Sequence, residues 1–82
     1  MLLSDLPLGV THIVECVRQL ESSDRIAVRL RDLGFVAGEP IRVIARGPWG
    51  ADPVLIQIGA TRFALRRAEA QRVVVCEVSH AS

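Results

Sequence analysis

The chain has 82 residues, of which half are apolar, and its ten arginines and nine acidic residues give a formal net charge of +1. So small a basic surplus argues against a protein that binds nucleic acid through phosphates. No apolar run approaches the ~20 residues of a membrane span, and Asp5 stands where a secretory signal would carry basic residues. We therefore expect one cytoplasmic domain over residues 1–82, with its core at about 3–78, that does not insert into a membrane.

The first part of the chain predicts a strand and then a helix. The strand is expected at about 11–18, and Asp24 is one of three consecutive residues able to cap a helix N-terminus. Gly34 follows at the position where a left-handed residue ends a helix, a conformation that glycine adopts at the least cost. Between these two signals, over about 24–33, one apolar helical stripe is formed by Ile26, Leu30 and Leu33.

A second strand is predicted at 41–46, between the turn at 38–40 and a loop at 48–53 that is rich in proline and glycine. Successive side chains of a strand point to opposite faces. We therefore expect Arg42 and Arg46 to face outward, and the core to receive Ile41, Val43 and Ala45.

A β-hairpin is predicted around the two-residue loop Gly59-Ala60, because glycine at its first position suits a type II′ turn. This loop sets the register of the two strands, and the expected pairs are Ile58 with Thr61, Gln57 with Arg62, Ile56 with Phe63, and Val54 with Leu65. The apolar members of these pairs then share one face, while Gln57 and Arg62 share the other.

Residues 66–71 allow one helical turn, and residues 72–78 predict a last strand. The unbroken apolar run of this strand indicates that both of its faces are covered. Five short strands, with one α-helix between the first two, make the fold mainly β. In so short a chain they fit a small closed β-barrel, because closure removes the exposed edges of a sheet.

The sequence lacks the pattern of a catalytic site. A nucleophilic triad needs a base beside the nucleophile and a group that orients the base. His12 and His80 are the only histidines and lie near opposite ends of the chain, while the serines fall in caps or tails. We therefore expect no enzymatic activity.

A weak metal site is the one piece of site chemistry that the sequence leaves open. Cys16 lies four residues from His12, and Cys76 lies four residues from His80. On a strand this spacing is about 13 Å, too far for both residues to hold one ion. The simpler interpretation is a pair of free, buried thiols with no required cofactor. The alternative is a weak zinc or iron site near His12, Glu77 and His80, formed if the first and last strands pair or if two copies form a homodimer.

A chain without catalytic residues is expected to work by contact with a partner. Contact sites are enriched in aromatic residues and arginine. Trp49 is the only tryptophan and lies in the loop at 48–53, although a single tryptophan is also a common loop anchor. The predicted partner-binding residues are Trp49, Arg42, Arg46, Arg25 and Arg29.

Four segments in series resemble the FeoA family, small cytoplasmic proteins of bacterial ferrous-iron uptake. They are LPLG at 6–9, RLRDLGFVAG at 29–38, PWGADPV at 48–54 and ALRRAEA at 64–70. The resemblance implies an SH3-like β-barrel and a partner, the FeoB-type membrane permease with a cytoplasmic GTPase domain, on which the chain would act as an accessory factor. The same barrel occurs in iron-dependent repressors, so the alternative is a stand-alone relative that acts in metal-dependent regulation or sensing. The chain has no helix-turn-helix segment, which argues against direct DNA binding.

Overall fold

A computed structural model describes residues 1–47 and 52–78 of the chain. After a short 3-10 helix at Leu3–Asp5 come strand β1 (His12–Val17), helix α1 (Arg25–Asp32), strands β2 (Pro40–Arg46), β3 (Val54–Ile58) and β4 (Thr61–Leu65), helix α2 (Arg67–Ala70) and strand β5 (Val73–Glu77). The five strands form one antiparallel sheet in the order β4-β3-β2-β1-β5. The predicted mainly β fold, with a helix between the first two strands, is confirmed.

Helix α1 has the predicted signals at both ends. The Asp24 carboxylate accepts a hydrogen bond from the Ala27 amide at 3.1 Å. At the other end Gly34 has φ +110°, and the amides of Phe35 and Gly34 donate to the carbonyl oxygens of Leu30 and Arg31 at 3.0 and 3.1 Å. These two bonds form a Schellman cap, which satisfies carbonyl groups that the end of a helix leaves unpaired.

The prediction that Leu33 belongs to the buried apolar stripe of α1 is wrong. Leu30 is buried at 1% exposure, but the side chain of Leu33 is 39% exposed. The helix ends at Asp32 and Leu33 is its C-cap, so the chain has already begun to leave the helix axis there. Ala27 takes the place of Leu33 on the buried side, and Ile26 packs against the core from its margin.

The predicted hairpin is confirmed in every pair. Ile58 pairs with Thr61, Gln57 with Arg62, Ile56 with Phe63, and Val54 with Leu65. Gly59 has φ +56°, which matches the left-handed first position of the predicted turn. The phenyl rings of Phe63 and Phe35 lie 5.5 Å apart between centroids, so the hairpin packs against the residue that follows the cap of α1.

Strand β5 is covered less completely than the sequence predicts. Val73 and Val75 are buried, but Val74 is only half-buried and Cys76 is exposed. The free thiols of Cys16 and Cys76 were predicted to be buried, and both are exposed. The pairing of Cys16 with Val74, and of Cys76 with Ile13, places them on the outer face of the sheet. The N-terminus covers part of the free edge of β5. There the carbonyl oxygen of Met1 accepts a hydrogen bond from the Val75 amide at 2.8 Å.

A bulge in β2 corrects the predicted orientation of Ala45 and Arg46. The register of β2 against β3 shifts between Val43 and Ala45. A bulge inserts one residue and so moves every later side chain to the opposite face. Ala45 is therefore exposed, and Arg46 pairs with buried Val54 instead of sharing the outer face of Arg42.

Across residues 1–47 and 52–78, no helix has the length and apolar character needed to cross a bilayer.

Candidate functional site

Arg25 and Arg29, two of the predicted partner-binding residues, line a shallow groove on the outer side of α1. The groove has a volume of about 390 Å³, and its other lining residues are Gln19, Ser23, Asp24, Val28 and Asp32. Among the described residues, Val28 is the one apolar side chain that lines the groove, and it is 48% exposed. Arginine side chains around an exposed apolar residue are compatible with a contact site, since interfaces are enriched in arginine.

A second cleft lies where α1 faces α2 and the start of β3. Its volume is about 510 Å³, and it is lined by Ile26, Arg29, Pro53, Ala64, Arg66, Ala68 and Glu69. Arg29 borders both cavities, so the groove and the cleft meet at this residue. We call the two together the α1 face. The sequence-based prediction contained its arginines Arg25 and Arg29 but missed the contributions of α2.

Arg42 and Arg46 do not join the α1 face. Arg42 is exposed on the sheet, and its Nη2 donates to Oε1 of the neighbouring Gln57 at 3.3 Å. The cavity beside Arg42 has a volume of about 200 Å³ and is lined by residues of β2, β3 and the adjoining loops. It shares no lining residue with the groove or the cleft. Arg46 is half-buried and donates to the carbonyl oxygen of Leu6, so it ties the N-terminal segment to β2. Trp49 lies outside the described residues.

His12 and Glu77 are brought together by the pairing of β1 with β5. They are direct partners in the antiparallel register, so their side chains share one face of the sheet. His12 is buried, its Nδ1 lies 3.3 Å from the carbonyl oxygen of Val10, and both His12 and Glu77 border a cavity of about 200 Å³. His80 lies outside the described residues. Within residues 1–47 and 52–78 no three His, Cys, Asp or Glu side chains are grouped so as to hold a metal ion.

Sequence reasoning missed the buried ion pair that fixes the N-terminus of α1. Arg72 Nε donates to Asp24 Oδ2 at 2.7 Å, and both side chains are buried. The same carboxylate accepts the Leu20 amide at 2.9 Å through Oδ2 and the Ala27 amide through Oδ1. The hydrogen bond from Arg72, reinforced by these two amides, lowers the pKa of Asp24 from its ordinary 3.8 to about 2. A charged residue at the start of an apolar strand was the only signal in the sequence that Arg72 needed a buried partner.

The comparisons with known proteins agree with one another. A model of the FeoA domain family matches residues 1–76. The chain is 57% identical to the zinc-complexed FeoA of Stenotrophomonas maltophilia, with a TM-score of 0.85 over 92% of this chain and 88% of that one. It is 33% identical to iron(II) transport protein A of Clostridium thermocellum, with a TM-score of 0.81 over 95% of this chain and 46% of that one.

A manganese-dependent transcriptional repressor shares the fold only, at 18% identity and a TM-score of 0.80, over 95% of this chain and 41% of the repressor. No curated protein sequence matches the chain significantly. The family match and the S. maltophilia structure both confirm the resemblance found in the sequence. The chain belongs to the FeoA family.

Proposed function

We propose that the chain is a non-enzymatic accessory protein of ferrous-iron uptake that binds and modulates the cytoplasmic side of a FeoB-type permease. The observation that supports this most strongly is the 57% identity to the S. maltophilia protein, which is described as an SH3 domain protein and a candidate activating factor of ferrous iron transport. The family match over residues 1–76 supports the same role in iron transport.

The proposal includes a cytoplasmic location and a single domain whose sheet closes into an SH3-like barrel. Closure is supported by the N-terminal residues, since Leu2 bridges Val74 at the outer edge of β5 and Leu8 bridges Val43 on β2. Closed sheets leave few edges free for unintended pairing with other chains.

The direct test is a pull-down of the chain by the cytoplasmic domain of the permease, with and without GTP. We expect the domain to retain the chain in at least one nucleotide state. The absence of retention in every state would overturn the proposed partner. Size-exclusion chromatography with light scattering on the same samples would show whether the chain is a homodimer.

Trp49→Ala is expected to weaken binding to the permease by about 2 kcal/mol or more, because a tryptophan on an interface is a typical hot spot. The two prolines in residues 47–53 each fix one backbone φ angle, which would reduce the cost of ordering the segment on binding. Calorimetric titration measures the affinity, and denaturant unfolding of the same variant provides the control. A variant whose loss of affinity is matched by a large loss of stability would make Trp49 a structural anchor instead.

Metal binding is proposed to be weak and dispensable for folding. His12 and Glu77 supply a nitrogen and an oxygen donor on one face, and two donors fall short of the four that a structural zinc site uses. Zinc in the S. maltophilia protein supports a capacity of the family for such ions. We expect excess EDTA to leave the melting temperature of the protein essentially unchanged. A loss of many degrees on chelation would show instead that an ion is part of the folded structure.

The alternative function is metal-dependent regulation, favoured by the likeness of fold to the manganese-dependent repressor. It is the weaker proposal, because 18% identity carries no information beyond the fold. The regulatory alternative would be supported if removal of the chain changed the amount of the permease in the cell while the chain showed no binding to the permease.

A further inference from the structure

We propose that the α1 face is the docking surface for the permease, and that it takes an apolar segment of the cytoplasmic domain that carries carboxylates. Arg29 is the central contact, because it borders both the groove along α1 and the cleft between α1 and α2. This inference rests on the proposed function and specifies where and how the partner is recognised.

Apolar side chains line both cavities of the α1 face. Val28 is 48% exposed in the groove. The apolar residues that line the cleft are Ile26, Pro53, Ala64 and Ala68. Apolar surface bordered by charged side chains is typical of a surface that is covered in a complex.

The charge of the α1 face selects a partner with carboxylates. The structure gives the guanidinium groups of Arg25 and Arg29 no hydrogen-bond or ion-pair partner within residues 1–47 and 52–78. The carboxylates bordering the two cavities are already largely engaged. Asp24 is paired with Arg72, and Glu69 accepts the amide of Arg66 at 2.9 Å. With Asp24 neutralised by Arg72, the three arginines Arg25, Arg29 and Arg66 outnumber the two remaining acids, Asp32 and Glu69. A planar guanidinium binds a carboxylate through two parallel hydrogen bonds, which suits arginine to this task.

The competing arginine surface is less suited to docking. Arg42 already donates to Gln57, and its cavity is smaller than either part of the α1 face, at about 200 Å³ against 390 and 510 Å³. A partner that engaged Arg42 would have to replace an existing hydrogen bond.

The α1 face is also held rigidly before a partner arrives. The Asp24–Arg72 pair anchors the N-terminus of α1, and the bonds of Phe35 and Gly34 anchor its C-terminus. Arg72 reaches α2 as well, since its Nη1 donates to the carbonyl oxygen of Ala68. Both sides of the cleft are therefore joined through one residue, and a preformed surface loses little conformational entropy on binding.

The test is the affinity of the full chain for the cytoplasmic domain of the permease, measured by calorimetric titration at low and high salt. We expect Arg29→Glu to weaken binding by roughly tenfold or more, as at an interface hot spot. The matched control Arg42→Glu makes the same charge change on the sheet and should alter affinity less than about twofold. Circular dichroism and thermal melting establish that both variants are folded.

A second pair of variants tests the apolar part of the surface. Val28→Ser is expected to weaken binding about fivefold or more, whereas Val10→Ser should not, although the two valines are similarly exposed at 48% and 46%. If the wild-type chain does not bind the domain at all, the proposed function fails. If it binds and the Arg29→Glu and Val28→Ser variants bind equally well, only the inferred docking surface fails.

Discussion

Leu30→Ala is expected to lower the free energy of unfolding by roughly 2–5 kcal/mol. Leu30 is 1% exposed in the core beneath α1, so its removal leaves a cavity as well as losing buried apolar surface. Its carbonyl oxygen also accepts the Phe35 amide that ends the helix, so distortion around the cavity would loosen the cap. Chemical denaturation measures the effect.

Leu33→Ala is the matched control, since it removes the same atoms three residues away on the same helix end. Leu33 is 39% exposed, so we expect the change to cost less than about 1 kcal/mol. Equal losses in the two variants, or a loss below about 0.5 kcal/mol for Leu30→Ala, would contradict the position of Leu30 in the core.

Arg72→Ala is expected to destabilise the fold by about 3–5 kcal/mol, because it leaves the buried carboxylate of Asp24 without its cation. Breaking such a pair costs more than the pair contributes, since an uncompensated charge remains out of water. Arg62→Ala removes an exposed arginine from β4 and should change stability by less than about 0.5 kcal/mol. Similar losses of stability in Arg72→Ala and Arg62→Ala would show that the Asp24–Arg72 ion pair is not important to stability.

The same pair predicts loss of stability in acid. The pKa of Asp24 is about 2 in the folded chain against an ordinary 3.8, so the unfolded chain takes up this proton first as the pH falls. The contribution of Asp24 is therefore complete above about pH 4–5 and is lost as the pH falls to about 2. Denaturation of wild type and Asp24→Asn across this window should give a steeper pH dependence for wild type. If the free energy of unfolding had the same pH dependence in both proteins, the lowered pKa of Asp24 would be contradicted.

The sequence predicted the parts of the fold that depend on local rules. The Gly59-Ala60 loop has a fixed length, so it determined all the pairs of the β3–β4 hairpin. Asp24 and Gly34 marked the two ends of α1 because their side-chain oxygen and missing Cβ have specific roles there.

Features that depend on distant parts of the chain were not predictable in this way. The bulges after Val14 and Val43 interrupt the alternation of faces, and nothing in the local sequence marks them. The bulge after Val43 accounts for the exposure of Ala45 and for the inward orientation of Arg46. The Asp24–Arg72 pair joins residues 48 apart, and α2 reaches the cleft only through the tertiary fold. The sequence therefore predicted that Arg25 and Arg29 belong to the candidate site, but it did not predict the residues that α2 adds to that site.

Ferrous-iron uptake by living cells tests the central claim most directly. The permease is expressed from a constitutive promoter, so that any effect on its transcription is removed, and uptake of radioactive iron(II) is compared with and without the chain. We predict that removal of the chain changes the uptake rate, that the wild-type chain restores it, and that Arg29→Glu does not. An uptake rate that is the same with and without the chain, at equal permease levels, would contradict its role as an accessory protein of ferrous-iron uptake.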